Sequence, residues 1–368
     1  MEGLTVADFL LKEDSLAVKL LGEVENALGE HFEIVDWMGV EIIVAVTAAH
    51  YAPGEMLWFR EIGASRSGKT ELLRAISRHK DTAKMEALTP AALRGGLKEA
   101  PKMLKRIDGK LVVTKDLAPL LTKSRESRNE IFGLLRPIKD GELVADYGSS
   151  EGNLSQKVKF DWIVATTPVF EQYRQLESLL GERFIDMRWK PGDRAKMALK
   201  AGMNNPDLDG KIRPELATLV CALMDEASSV VPTIEISAKE MEIISGYADK
   251  TARLRTPVAR DRDRHITIYP EPEIGTDLTQ GFSRIVKGLK FLEIDFEPCL
   301  NRLLWDSMPK MRAIILTCVL NGVVEAEKIA DITHIATNTV RYVLEDLRLL
   351  EIVDKNKHLL IQIHPSQQ

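Results

Sequence analysis

The chain of 368 residues reads as an α/β protein: a parallel sheet covered by helices, with helical segments at both ends. Three observations predict this. A glycine loop sits between an apolar run and a helical pattern. From 56 to about 190, short apolar runs alternate with segments of helical period, as in a parallel sheet with helices over it. From Pro309 onward a three-helix pattern closes with a terminal hairpin.

The loop is Gly63-Ala64-Ser65-Arg66-Ser67-Gly68-Lys69-Thr70, and it fits G-x-x-x-x-G-K-[ST] at every fixed position. The glycines let successive backbone N–H groups turn inward onto phosphate oxygens. Lys69 can place its ammonium on the β/γ-phosphates, and Thr70 can put a hydroxyl on Mg²⁺. The context agrees. Met56 to Ile62 reads as a strand running into the loop, and Glu71 to Ile76 as the helix behind it, whose N-terminus attracts anions. Gly63, Ser65, Ser67, Gly68, Lys69 and Thr70 are therefore the candidate nucleotide-binding residues, with ATP and Mg²⁺ as the expected cofactors.

The remaining elements follow in order. Residues 1 to about 50 are read as helices, with Leu16 to Leu21 and Trp37 to Ala49 as apolar stretches. Tyr51-Ala52-Pro53-Gly54-Glu55 is a break. After the turn Asp108-Gly109, Lys110 to Asp116 has the pattern of a buried strand ending in a carboxylate. P-loop enzymes hold their magnesium shell with an acid at such a place, which makes Asp116 a catalytic and metal candidate. The position before it holds Lys115, where many such ATPases carry a second acid. Ser127 to Arg136 is helical. Glu142 to Tyr147 and Leu154 to Phe160 are the arms of a hairpin, and Lys157 and Lys159 lie on the second arm. Trp162 to Pro168 is another buried strand, ending in Thr166 and Thr167. Gly181-Glu182-Arg183-Phe184 and then Ile185 to Trp189 follow. Pro214 to Ala227, Ala238 to Arg253 and Asp277 to Leu292 are helical, interrupted by Tyr269-Pro270-Glu271-Pro272-Glu273.

Bulk composition narrows the setting. The net charge of −5 gives no whole-chain attraction to nucleic acid, so DNA binding would need a local basic surface. Cys221, Cys299 and Cys318 are odd in number and far apart, which fits neither a disulfide framework nor a metal knuckle and suits a reducing cytoplasm. The N-terminus lacks the basic start of a secretory signal. The longest apolar run, Val40 to Ala49, falls short of the ~20 residues that span a bilayer, so no membrane partner is expected.

The order of these motifs resembles the AAA+ ATPases: P-loop, apolar strand ending in an acid, third strand ending in Thr-Thr-Pro, Gly-Glu-Arg-Phe, then a helical lid. The hairpin before the third motif is similar to the branch that includes minichromosome-maintenance helicases. Bacterial enhancer-binding activators share that branch, but their Gly-Ala-Phe-Thr-Gly-Ala loop is absent here. The resemblance implies that Thr166 or Thr167 is the sensor-1 residue, which positions the lytic water. It implies that Arg183 is an arginine finger acting on a neighbour's site in a homo-oligomeric ring, hexameric in the family's manner. It implies a sensor-2 arginine in the lid, for which Arg253, Arg255 and Arg284 are candidates, Arg255 being carried as nucleotide-binding.

The C-terminal pattern resembles a winged helix-turn-helix domain. Arg312 to Leu320, Ala326 to Asp331 and Thr337 to Arg348 are its helices, the last capped by Thr337 or Asn338. Thr337, Asn338, Thr339 and Arg341 open the recognition helix, and Lys355 and Lys357 tip the wing, as expected for DNA contact. From Lys310 onward seven basic residues face seven acidic ones, so the module is neutral. The expected organisation is an N-terminal helical segment (1–50), an α/β nucleotide-binding core (51–193), a helical lid (194–308) and a winged helix (309–368). The expected function is a DNA-acting ATPase ring, helicase-like, with Lys157 and Lys159 facing a pore. The alternatives are an ATP-gated regulator or loader, and an inactive nucleotide-binding scaffold.

Overall fold

Trp58–Ile62 forms β1, the strand that leads into the glycine loop, and every residue of it is buried. Its neighbours explain why. In this computed structural model, which describes residues 14–64, 67–94, 102–146, 153–173 and 184–365, β1 pairs in parallel with two other strands. They are β6 (Asp161–Thr166) and β7 (Ile185–Arg188). Beyond β6 lie β3 (Leu111–Thr114) and β2 (Thr82–Lys84), giving the parallel order β2-β3-β6-β1-β7.

A two-residue period divides the strand side chains between two cores. Leu57, Phe59, Val113, Ile163, Ala165 and Met187 face one. Met56, Trp58, Ile62, Val112, Trp162 and Val164 face the other. The second core is stacked with rings: Trp58 lies 5.7 Å from Phe160 and 5.2 Å from Trp162, centroid to centroid. It is covered by α5 (Lys102–Ile107) and α7 (Arg125–Lys139), from which Leu104, Ile107, Ile131 and Leu135 reach in.

The first core is larger. It takes in α1 (Leu16–His31), α2 (Trp37–Ala48) and α3 (Lys69–Ile76) beside the sheet. It continues through α9 (Arg213–Val230), α10 (Ala238–Arg255), α11 (Thr276–Phe291) and α12 (Phe296–Ser307). The C-terminal helices join the same core through Ile315, Ile329, Val340 and Leu347. The boundaries read at 50, 193 and 308 are thus changes of architecture along the chain, not breaks in packing. Helix α11 lies so close on α2 that a Cβ at Gly288 would stand 2.7 Å from the Ala45 carbonyl carbon, and closer still to its oxygen. Only glycine fits there.

Sequence expectations change at several points. The stretch Leu208–Thr233 is long and apolar enough by composition to cross a membrane, which the reading of apolar runs passed over. Here Leu216, Val220, Leu223 and Met224 of α9 are buried in the first core. The hairpin is present as β4 (Glu142–Asp146) and β5 (Asn153–Lys157), with Glu142 opposite Lys157. That register puts Lys157 at the root of the hairpin, and Lys159 lies past the strand, its N–H donating to Asp108 Oδ1 at 2.9 Å. Neither lysine sits at the tip.

The C-terminal helices form as α13 (Lys310–Leu320), α14 (Ala326–Thr333) and α15 (Thr337–Leu349). Of the expected wing, a single antiparallel bridge, Val353 to Leu359, is present. The N-cap of α15 is Ala336, with no side-chain cap, so Thr337 and Asn338 are already helical and neither caps it.

Candidate functional site

The site lies at the C-terminal ends of β1, β3 and β6. After Ile62 the chain stays on the sheet for one more residue, Gly63 N–H donating to Thr166 O at 3.1 Å. A Cβ on Gly63 would meet Trp189 Cβ at 2.9 Å, so the close approach of β7's continuation requires glycine. Gly68 has φ +87°, the left-handed region that glycine enters without strain, and it starts α3. Trp189 braces the loop from outside: its Nε1–H donates to Ser67 O at 2.8 Å. The neighbouring Lys190 N–H donates to Asp36, which also N-caps α2 and takes two bonds from Arg302, at 2.5 and 2.6 Å. The loop's outer wall is therefore tied to α2 and α12.

Lys69 is buried, and its ammonium donates to Ala64 O at 2.9 Å, closing the loop on itself. Burial lowers its pKa, while the charges of Glu61 and Asp116 oppose that shift. Ser67 Oγ and Thr166 Oγ1 are buried without hydrogen-bond partners among the described residues. Orphaned hydroxyls around an ammonium and a glycine turn suit a polyphosphate, which would supply the missing partners.

Two cavities meet at Thr70 and Arg74. One, about 410 Å³, is lined by Lys69, Glu86, Lys115, Asp116, Thr166 and Thr167 as well. The other, about 450 Å³, runs from Gly68 between the loop after α1 (Phe32, Glu33) and the helical part of the chain. Lys200 and Asn204 of α8 (Arg194–Asn204) and Arg213 of α9 line it there. Sharing those residues, the two line a trough along the start of α3. Asp116 and Thr70 are the groups that would hold Mg²⁺. Asp116 Oδ1 meanwhile accepts from Ala118 N–H at 2.9 Å, which fixes the turn after β3.

Lys69, Thr70, Asp116, Thr166 and Thr167 are thus brought together. Ser65 and Arg183 lie outside the described residues. Arg255 is not at the site. Its Nη1 donates to Phe184 O at 2.9 Å and its Nε to Glu273 Oε1 at 3.0 Å, next to where β7 begins. Arg284 is held by Asp161 at 2.7 Å, where β6 begins. Each strand residue advances about 3.3 Å, so β6 alone separates Arg284 from the P-loop end by roughly 16 Å. Arg253 is in surface pairs with Asp249 at 3.0 Å and Glu351 at 3.3 Å. The lid arginine at the trough is Arg213, which grips Glu71 through two bonds of 2.7 and 2.8 Å and also pairs with Asp209. Sequence reasoning missed it, although it directly precedes the helical pattern read from Pro214.

Beneath the site lies a buried carboxyl. Glu61 on β1 is fully buried, and both carboxylate oxygens lack a partner among the described residues. Burial pushes its carboxyl up to about 8, opposed by Lys69 and reinforced by Asp36. In contrast, Asp161 is buried but paired. Burial raises it, yet the bonds from His50 and Arg284 outweigh that and hold it at about 2.

The candidate DNA-contacting face is partly engaged by its own module. Arg341 pairs with Glu327 at 2.6 Å, and Lys357 Nζ donates to Val324 O at 2.5 Å. Asn338 and Lys355 are exposed, and Thr337 and Thr339 half-exposed.

No family model and no curated protein matches the chain. Among solved structures, a protein from Cytophaga hutchinsonii described as a candidate ATPase is similar over 90% of this chain and 94% of its own. The identity is 11% and the TM-score 0.46, a likeness too loose to inform function.

Proposed function

We propose that this chain is a magnesium-dependent ATPase of the AAA+ type, working as an oligomeric ring on DNA. The observation that carries the ATPase reading is the trough itself: Lys69, Thr70, Asp116 and the orphaned Thr166 hydroxyl converge on one cavity beside a glycine turn. Lys69 would neutralise the β/γ-phosphates, and Thr166 would donate to the γ-phosphate or its water. Thr70 and Asp116 would hold a magnesium ion, which would supply positive charge against that developing on the phosphates. Arg213, which lines the second cavity and holds Glu71, would sense the nucleotide through that pair.

Lys69→Ala tests this. It should abolish hydrolysis and weaken nucleotide binding while leaving the melting temperature near the parent's. Turnover by the purified variant at the parent's rate would end the ATPase reading.

Action on DNA as a helicase-like ring rests on the resemblance, supported by the hairpin before β6 and the three C-terminal helices. The engaged Arg341 and Lys357 favour a second reading: an ATP-gated regulator or loader whose C-terminal helices dock a protein. DNA-stimulated hydrolysis supports the first. If Arg341→Glu, Lys355→Glu and Lys357→Glu together leave DNA affinity and its salt slope unchanged, the C-terminal face is not the contact. Each lost phosphate contact should remove about 0.9 from that slope.

A further inference from the structure

The position before Asp116, where the resemblance implies an acid, holds Lys115, and β3 supplies no second carboxylate to the cavity. The neighbouring strand does. Strands β2 and β3 run in parallel, with Lys84 opposite Val113. The pairing continues past β2: Met85 N–H donates to Val113 O at 3.1 Å, and Thr114 Oγ1 donates to Met85 O at 2.6 Å. This carries Glu86 alongside Lys115, and the two side chains form an ion pair. Glu86 lines the cavity that also holds Lys69, Thr70, Asp116 and Thr166.

The geometry points to Glu86 as the catalytic carboxylate of this ATPase, supplied from the end of β2, with Lys115 as the residue that positions it. The inference rests on the ATPase reading above. Water attacks the γ-phosphorus, the bond from that phosphorus to the β,γ-bridging oxygen breaks, and ADP leaves with the electron pair. Glu86 accepts a hydrogen bond from the attacking water and takes its proton, which it later passes to solvent. The Glu86 side chain is 58% exposed against 24% for Lys115, so water reaches the carboxylate while the lysine is the more enclosed partner. The hydrogen bond and charge of Lys115, with the charges of Lys84 and Arg74, hold the carboxyl below the usual range.

Steady-state ATP hydrolysis and binding of a fluorescent ATP analogue, measured on the full chain, test this. Glu86→Gln should lower kcat at least 100-fold, with the analogue's Kd and the melting temperature unchanged. Lys115→Met should lower kcat, because Glu86 loses the partner that positions it, and move the acidic limb of the pH profile upward, because Glu86 loses the charge that depresses it. A purely structural role for the pair would not move that limb. If the parent hydrolyses ATP and Glu86→Gln does so within about threefold, this inference falls and the ATPase reading stands. Loss of analogue binding in Glu86→Gln also overturns it, since the residue would then hold nucleotide, not water. If the parent's rate equals that of Lys69→Ala, the ATPase reading falls and takes the inference with it.

Discussion

Glu61→Gln should change the pH dependence of stability more than any other single substitution near the P-loop. The parent buries a carboxyl with no hydrogen-bond partner among the described residues, and burial raises it from 4.5 to about 8. A carboxyl raised on folding binds its proton more tightly in the native state than in the unfolded one. Its contribution is complete below the unfolded value and is lost as pH rises toward the folded value, after which the curve flattens. At 1.36 kcal/mol per unit, the parent should lose about 4 kcal/mol from this group between pH 5 and pH 9. Glutamine does not titrate, so that slope disappears. It leaves an unpartnered amide, which costs about 1–3 kcal/mol and does not depend on pH. The variant should therefore be no more stable than the parent at pH 5 and clearly more stable at pH 9. Thermal melts of both proteins across that range measure it. At ~2 °C per kcal/mol for a large chain, the gap between their midpoints should change by about 8 °C. Groups that do not act on Glu61, Asp306 among them, are common to both proteins and drop out of the difference, whereas Lys69, whose charge Glu61 supports, does not. Parallel midpoint curves would show that Glu61 is already ionised in the fold or finds a partner, and the argument would fail.

Other outcomes follow from the same geometry. Gly288→Ala should destabilise by about 1–3 kcal/mol or more, despite alanine's better helix propensity, because its methyl meets α2 backbone and not a yielding side chain; a rise in melting temperature would refute the close packing. Arg213→Ala should weaken nucleotide binding measurably, whereas Arg255→Ala should leave the Kd alone and lower stability; the reverse pattern in a fluorescent-nucleotide titration would return Arg255 to the site. Arg284→Leu should cost about 3–5 kcal/mol by leaving Asp161 charged and buried without its guanidinium, read as a lower denaturation midpoint.

Much of the framework was legible in local sequence. The strand before the glycine loop, the hairpin and the strand ending in Thr166 were read within a few residues, because β-period and turn signals act over short spans. Strand β2 was missed. Thr82-Ala83-Lys84 is three residues long, too short for any period to show, and it exists because β3 offers it a parallel edge. Its loss hid Glu86, which looks like any charged residue after a turn until β2 sets it beside Lys115. The lid arginines failed for a related reason. Arg255 and Arg284 sit in strongly amphipathic or buried helix positions, and sequence does not tell which end of the sheet those positions face. Arg284 and Asp161 are separated by 123 residues, and only the packing of α11 on α2 brings them together.

By itself, then, the sequence determined the local chemistry: a glycine turn that can hold phosphates, strands with two buried faces, and helix starts such as the Ser237–Glu240 capping box. These depend on neighbours within a few residues, and water or any apolar partner satisfies them equally. Tertiary structure alone decided which charges share a cavity, which are locked in ion pairs far from it, and which stand buried without a partner. Those outcomes depend on distances between segments far apart in the chain, and on the low dielectric that packing creates around them. Glu61 becomes a raised carboxyl beneath the P-loop only because β6 and β7 flank its strand and packing buries it completely.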